Sequence, residues 1–114
     1  LRSSAAPDDE ELRDAVIQRF EFTMDLAWKL LQRYLKEAGT PEHEIRTKRD
    51  LFREGARLGL LMNPASWFGY YEARNATSHA YNPEIAAQVY RSALQFIDDA
   101  IPLLNELKKE ADDA

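Results

Sequence analysis

Residues 9–38, DEELRDAVIQRFEFTMDLAWKLLQRYLKEA, form a long run without glycine or proline. Leu12, Val16, Phe20, Met24, Ala27, Leu31, Tyr34 and Leu35 recur mainly at spacings of three and four, which lays them along one face of an α-helix. Pro7-Asp8-Asp9-Glu10 puts acidic groups where the helix dipole is positive, and Gly39 and Pro41 stop the helix. Phe22, Leu26 and Trp28 lie outside the main stripe. A helix apolar around more than half its girth needs cover on two sides, a bundle on one and a second subunit on the other.

Working outward, the punctuation sets off three more helices. Thr47-Lys48-Arg49-Asp50 has the shape of a capping box with aspartate in place of glutamate. The helix it opens is expected to run to about Leu60, with Leu51, Phe52, Gly55, Leu58 and Gly59 inward. Asn63-Pro64 reads as an N-cap followed by proline at the first helical position, and Asn82-Pro83 repeats that signal. The third helix carries Trp67, Phe68, Tyr70 and Tyr71 and is expected to end near His79. The last keeps Ile85, Val89, Ala93, Phe96, Ile97, Ala100, Leu104 and Leu107 in phase, with a kink expected where Pro102 interrupts the ladder. With no alternating β-branched run and no internal repeat, the expectation is one all-α domain over residues 1–114. It is an antiparallel, up-down bundle of four to five helices with short connections.

A chain of 114 residues, 45% of them apolar, suits a single core. Fifteen basic against twenty acidic residues give a net charge of −5, so any nucleic-acid role must come from a local patch. There is no cysteine, which removes disulfides, zinc ribbons and thiol nucleophiles; with only His43 and His79, a multi-histidine metal site within one chain is excluded as well. No glycine-rich phosphate loop is present, and no apolar run approaches a membrane span. The expectation is a soluble, cytoplasmic protein without metal or cofactor. The chain begins at Leu1 rather than Met, and Leu1 to Ala6 reads as the end of an earlier segment.

The third helix carries the chemistry. At 100° per residue Trp67, Tyr71, Arg74 and Ser78 share one sector, and Phe68, Asn75 and His79 share the next. Such a mixed face is costly to bury, because each polar group needs a partner. It suits an interface or shallow site; alternatively the aromatics are core, and Arg74 and His79 form a surface pair at the helix end. Arg49, Arg53 and Arg57 recur every four residues, in a stretch (46–57) with five basic and two acidic groups. That strip is either a phosphate-tracking edge or a solvated face. His43, between Glu42 and Glu44, belongs to a charged loop, and Asp98-Asp99 reads as helix-surface charge.

The segment Arg74-Asn75-Ala76-Thr77-Ser78-His79-Ala80-Tyr81 resembles the Arg–His–Tyr signature of HEPN-domain proteins, in particular HepT-type toxins and nucleotidyltransferase substrate-binding proteins. Residues 13–23, RDAVIQRFEFT, followed by Leu26-Ala27-Trp28-Lys29, resemble the long helix of that substrate-binding branch; residues 49–55, RDLFREG, resemble its next helix. Together these cover most of the chain from Asp9 to about Val89. Family members usually begin with another helix, of which Leu1 to Ala6 would be only the end.

The resemblance implies a two-fold homodimer that brings two Arg–His motifs to one cleft, and a minimal nucleotidyltransferase partner in a two-gene, toxin–antitoxin-like module. In the nuclease branch it implies metal-independent RNA cleavage. Histidine, with an ordinary pKa of about 6.5, can take or give a proton near neutral pH, and arginine offers a fixed cationic fork to phosphate. On this expectation His79 is the acid/base, Arg74 the phosphate clamp, Asn75 and Ser78 supporting groups, and Tyr81 the acceptor of AMP from the partner. The other reading is a non-catalytic subunit that presents a substrate to the nucleotidyltransferase.

Overall fold

The computed structural model describes residues 6–113, with side chains over residues 10–109. Four α-helices, α1 (Ala6–Glu37), α2 (Lys48–Arg57), α3 (Pro64–Ala76) and α4 (Pro83–Asp113), account for most of it. Short 3₁₀ turns occupy Glu42–Glu44 and Thr77–His79, and no strand occurs among the described residues. The fold is therefore the expected all-α bundle. The reading of Leu1 to Ala6 as the end of an earlier segment lies, apart from Ala6, outside the described residues.

The helix boundaries follow local chemistry. Thr47 accepts the Asp50 amide, Asn63 the Ser66 amide, and Asn82 the amides of Glu84 and Ile85, so all three N-caps form. Two C-termini close by the Schellman pattern. Gly39, at φ 99°, donates to the Lys36 carbonyl while Thr40 donates to Leu35. Gly59, at φ 80°, donates to Ala56 while Leu60 donates to Gly55. This second cap ends α2 at Arg57, earlier than the expected Leu60. Leu58 is left 42% exposed and Gly59 is also exposed; Leu60 and Leu61 enter the core in their place.

α2 and α3 make an antiparallel hairpin, with Phe52 against Trp67 and Arg49 over Phe68. α3 runs against α1, since Arg74 reaches Asp25 and Glu21, and against α4, since Tyr70 reaches Asp99. α1 and α4 share a direction, which departs from the antiparallel, up-down order expected of the four helices: Leu12 and Arg13 border a groove with Ala87 and Tyr90, and Val16, Phe20 and Thr23 border one with Ala93, Phe96 and Ala100. The result is two helical layers in a body of 52 × 27 × 18 Å, the smallest dimension being about two helices thick.

The core centres on Trp67, which meets Phe52, Tyr70 and Phe96, with Phe20 edge-on to Phe96. Met24, Leu31, Leu35 and Leu51 complete it. Trp67 is 1% exposed, so it belongs to packing and not to the mixed polar face. On α1 the buried line runs through Ile17, and Leu12 is 58% exposed. On α4 it runs through Ala86, Val89, Ala93, Phe96, Ala100 and Leu103; Ile97 is exposed and Leu104 only half-buried. The cause is the thinness of the bundle: α4 packs through one narrow stripe, and residues one position off it meet no second layer. The helix continues through Pro102 without interruption.

Candidate functional site

α3 gives way to the 3₁₀ turn at Thr77, and that change sets the site. Thr77 donates to the Arg74 carbonyl through both its backbone N–H and Oγ1, and Ser78 Oγ donates to the Asn75 carbonyl, so two hydroxyls add to the bonds on carbonyls of the ending helix. Ala80 N–H donates to Thr77 and Asn82 N–H to His79, and Asn82 then caps α4. His79 and Tyr81 both stand exposed on this joint, their rings 6.1 Å apart and nearly perpendicular; Tyr81 is 83% exposed.

Asn75 and Ser78 are exposed as well. A 3₁₀ turn advances about 120° per residue against 100° in an α-helix, so His79 is rotated away from the position a continued helix would give it. Among the described residues no hydrogen bond joins Asn75 to His79, and Ser78 spends its hydroxyl on the backbone. The four-residue spacing that should have paired Asn75 with His79 is broken by the tightening between them.

Arg74 points to α1 instead. Its Nε and Nη2 lie 2.8 Å from the two Asp25 oxygens, a two-pronged contact, and Nη1 lies 3.1 Å from Glu21. The side chain is 25% exposed. The Arg74 guanidinium holds the Asp25 carboxyl below the usual carboxylate range, and Asp25 in turn raises Arg74. Of the five N–H donors on a guanidinium, two are hydrogen-bonded to Asp25, and Nη1 faces Glu21 as an ion pair. Arg74 and His79 do not form a surface pair. Asp25 and Glu21 are the residues sequence reading missed; their spacing of four on α1 places both on one face, but only the tertiary fold brings that face to Arg74.

The arginine strip divides. Arg57 makes a two-pronged contact with Glu54 at 2.9 and 2.6 Å, and Arg53 reaches Asp50 at 3.5 Å. These two arginines line a shallow groove of about 650 Å³ together with Glu44, Asp50 and Glu54, so acids outnumber bases there. Arg49 lies over the Phe68 ring at 4.1 Å and has no carboxylate partner among the described residues. His43 sits 3.8 Å from Glu44, and no group of three His, Asp or Glu among the described residues could hold a metal ion. No described helix is long and apolar enough to cross a membrane. Asp99, expected as surface charge, instead accepts a hydrogen bond from the buried Tyr70 hydroxyl, which burial and this carboxylate push far above the ordinary phenol value.

Comparison with known proteins bears on the fold and the family. The chain is 34% identical over 95 residues to a Haemophilus influenzae protein named probable ribonuclease HepT, covering 82% of this chain and 65% of that one. The chain thus spans just under two thirds of that relative's length. A solved Haemophilus influenzae structure, described as the fold of a substrate binding domain of a nucleotidyltransferase, superposes with a TM-score of 0.85 at 30% identity. The match covers 93% of this chain and 80% of that one. The family model for nucleotidyltransferase substrate binding protein like chains matches residues 1–109, and the chain belongs to that family.

Proposed function

We propose that this protein is the HEPN-type partner of a minimal nucleotidyltransferase in a two-gene, toxin–antitoxin-like module, and that it cleaves RNA without a metal. The observation that carries the reading is the exposed His79–Tyr81 pair on a hydrogen-bonded joint, one turn beyond Arg74. In the cleavage step His79 accepts the proton of a ribose 2′-hydroxyl as its oxygen attacks the adjacent phosphorus. The phosphorus–5′-oxygen bond breaks, the leaving oxygen takes a proton, and a 2′,3′-cyclic phosphate remains. A second chain supplies the second histidine as proton donor, in a two-fold homodimer that joins the two motifs. Arg74, through the N–H groups that Asp25 does not take, steadies the phosphate charge. Asn75 and Ser78 line the same edge, and Arg49, Arg53 and Arg57 are the flanking cations, of which Arg49 alone is unpaired among the described residues.

Tyr81 is the proposed point of silencing. Its phenol oxygen attacks the α-phosphorus of ATP bound to the partner, pyrophosphate leaves, and AMP stays on the ring. Mass spectrometry should find the mass of one AMP on the wild type after incubation with partner and ATP, and none on Tyr81→Phe. Undiminished labelling of that variant removes Tyr81 from the role.

One observation favours a second reading, a non-catalytic subunit that presents a substrate to the nucleotidyltransferase. Asp25 and Glu21 outweigh the charge of Arg74, which weakens its hold on phosphate. The deciding assay uses partner-free, AMP-free protein and a mixed RNA pool in EDTA. His79→Ala should cost at least about 100-fold in cleavage. If wild type and His79→Ala degrade the pool equally slowly, the protein is the binding subunit.

A further inference from the structure

Trp28, Tyr71 and Phe68 share one edge of the molecule, where α1, the start of α2 and α3 meet, and all three are half-buried. Cations stand over their faces. Lys48 Nζ is 3.9 Å from the Trp28 ring centre and 5.5 Å from that of Tyr71. Lys29 Nζ is 5.8 Å from Trp28, and the Arg49 guanidinium carbon is 4.1 Å from Phe68. Phe68 and Tyr71 lie 6.2 Å apart.

These cations differ from most of their neighbours. Arg33, Lys36, Arg53, Arg57 and Arg74 all meet carboxylates. Among the described residues Lys48 and Arg49 meet none, and Lys29 feels the Asp25 carboxylate without forming an ion pair with it. A ring face attracts an ammonium but accepts no strong hydrogen bond, so the donors of these groups remain available. The edge continues along α3 through Arg74 and Asn75 toward His79, about 17 Å from Phe68 at 1.5 Å per residue.

We propose that this edge binds single-stranded RNA, its bases stacking on Trp28, Tyr71 and Phe68 and its phosphates taken by Lys29, Lys48 and Arg49. The proposal deepens the RNA reading above and rests on it. The Trp28 indole nitrogen is buried while a lysine ammonium stands over its ring, and cations likewise stand over Tyr71 and Phe68, so the charged groups and the ring faces that stacking on unpaired bases requires lie together. A duplex hides its bases and has no use for such faces. Lys48, already between two rings, exchanges them for a phosphate when a base enters. Lys48 and Arg49 also explain how a chain of net charge −5 can hold a polyanion: their positive charge is local, and no carboxylate among the described residues pairs with it.

The test uses full-length His79→Ala, so that cleavage does not consume the probe, and a fluorescein-labelled oligouridylate titrated at several salt concentrations. Of the two tryptophans Trp67 is buried in the core, so quenching of indole emission on binding reports Trp28. Quenching is expected, with binding at least about ten-fold tighter than to a duplex of equal length. Adding Lys48→Gln and Arg49→Gln should weaken binding about ten-fold and flatten the salt slope by about 0.7 per cation removed. Both positions are at the surface or half-buried; a matching melting curve confirms that the variant is folded. Absent binding, unchanged indole emission, equal affinity for duplex, or unchanged affinity of the double variant overturns the proposal. So does polyglutamate competing as well as RNA, which would make the edge a dock for an acidic protein. The two readings fail separately. RNA binding with quenching, but no cleavage by wild type, removes the catalysis and keeps the platform. Cleavage by wild type that Lys48→Gln with Arg49→Gln leaves unchanged removes the platform and keeps the catalysis.

Discussion

Asp25→Asn removes the charge that anchors Arg74 to α1 and barely changes the shape. The contact is two-pronged, both distances are 2.8 Å, and the side chains are 25% and 31% exposed. A surface pair contributes at most about 1 kcal/mol, and breaking a fully buried one costs about 3–5 kcal/mol. This pair stands between, and Glu21 at 3.1 Å keeps the guanidinium from being stranded. A loss of about 1–2 kcal/mol at pH 7 is expected, which for a domain of this size lowers Tm by about 5–10 °C. The pH dependence follows from Arg74 holding the Asp25 carboxyl below its unfolded value. The folded chain then binds fewer protons than the unfolded chain in the acid range, so the pair's contribution is complete above about pH 4 and lost as pH falls through the folded value. Asp25→Asn should therefore melt lower than wild type at pH 7, and the two curves should converge on acidification. Circular dichroism melts from pH 7 to pH 3 measure both. A Tm within about 1 °C of wild type at pH 7, or acid limbs that stay parallel, would show that solvent screens the pair to insignificance and that Arg74 is not held by it.

Tyr70→Phe keeps the ring contacts with Trp67 and Phe96 but deletes the bond to Asp99, for an expected loss of about 1–2 kcal/mol. The raised phenol value also means that wild-type stability falls above about pH 10, as the unfolded chain ionises first; denaturant titrations should find that alkaline loss missing in the variant. Gly69 lies exposed inside α3, and nothing stands within 4 Å of the place an alanine methyl would take, so Gly69→Ala should stabilise a lone chain by about 0.5–1 kcal/mol in the same titrations. Light scattering on both should give about twice 13.1 kDa; a mass near 13.1 kDa at micromolar concentration counts against the homodimer.

What the sequence made legible was local. Thr47, Asn63 and Asn82 cap as their side chains dictate, and Gly39 ends α1 where a left-handed residue is needed. The errors arise where the third dimension intervenes. Gly59 looks like part of an inward face until its positive φ is seen to terminate α2, which sends Leu58 outward. Leu12 and Ile97 satisfy the helical period, yet a two-layer body has nothing to set against them. Arg74 was visible as a functional candidate, but Asp25 lies 49 residues away, and no spacing rule connects them. Tyr70 and Asp99, 29 apart, were hidden for the same reason. Trp67 was the harder case, because helical phase alone places it beside Arg74, and only its burial separates core from site.

The joint between α3 and α4 has little slack. Hydroxyls of Thr77 and Ser78 hold the carbonyls that close α3, the amides of Ala80 and Asn82 are taken, and Asn82 opens α4 at once. A ligand arriving at His79 therefore has little backbone left to order, and the association entropy usually lost in stilling a loop is already spent in folding. In hydrogen exchange, the Ala80 and Asn82 amides should outlast what their place beside exposed side chains suggests, opening with the helices rather than before them.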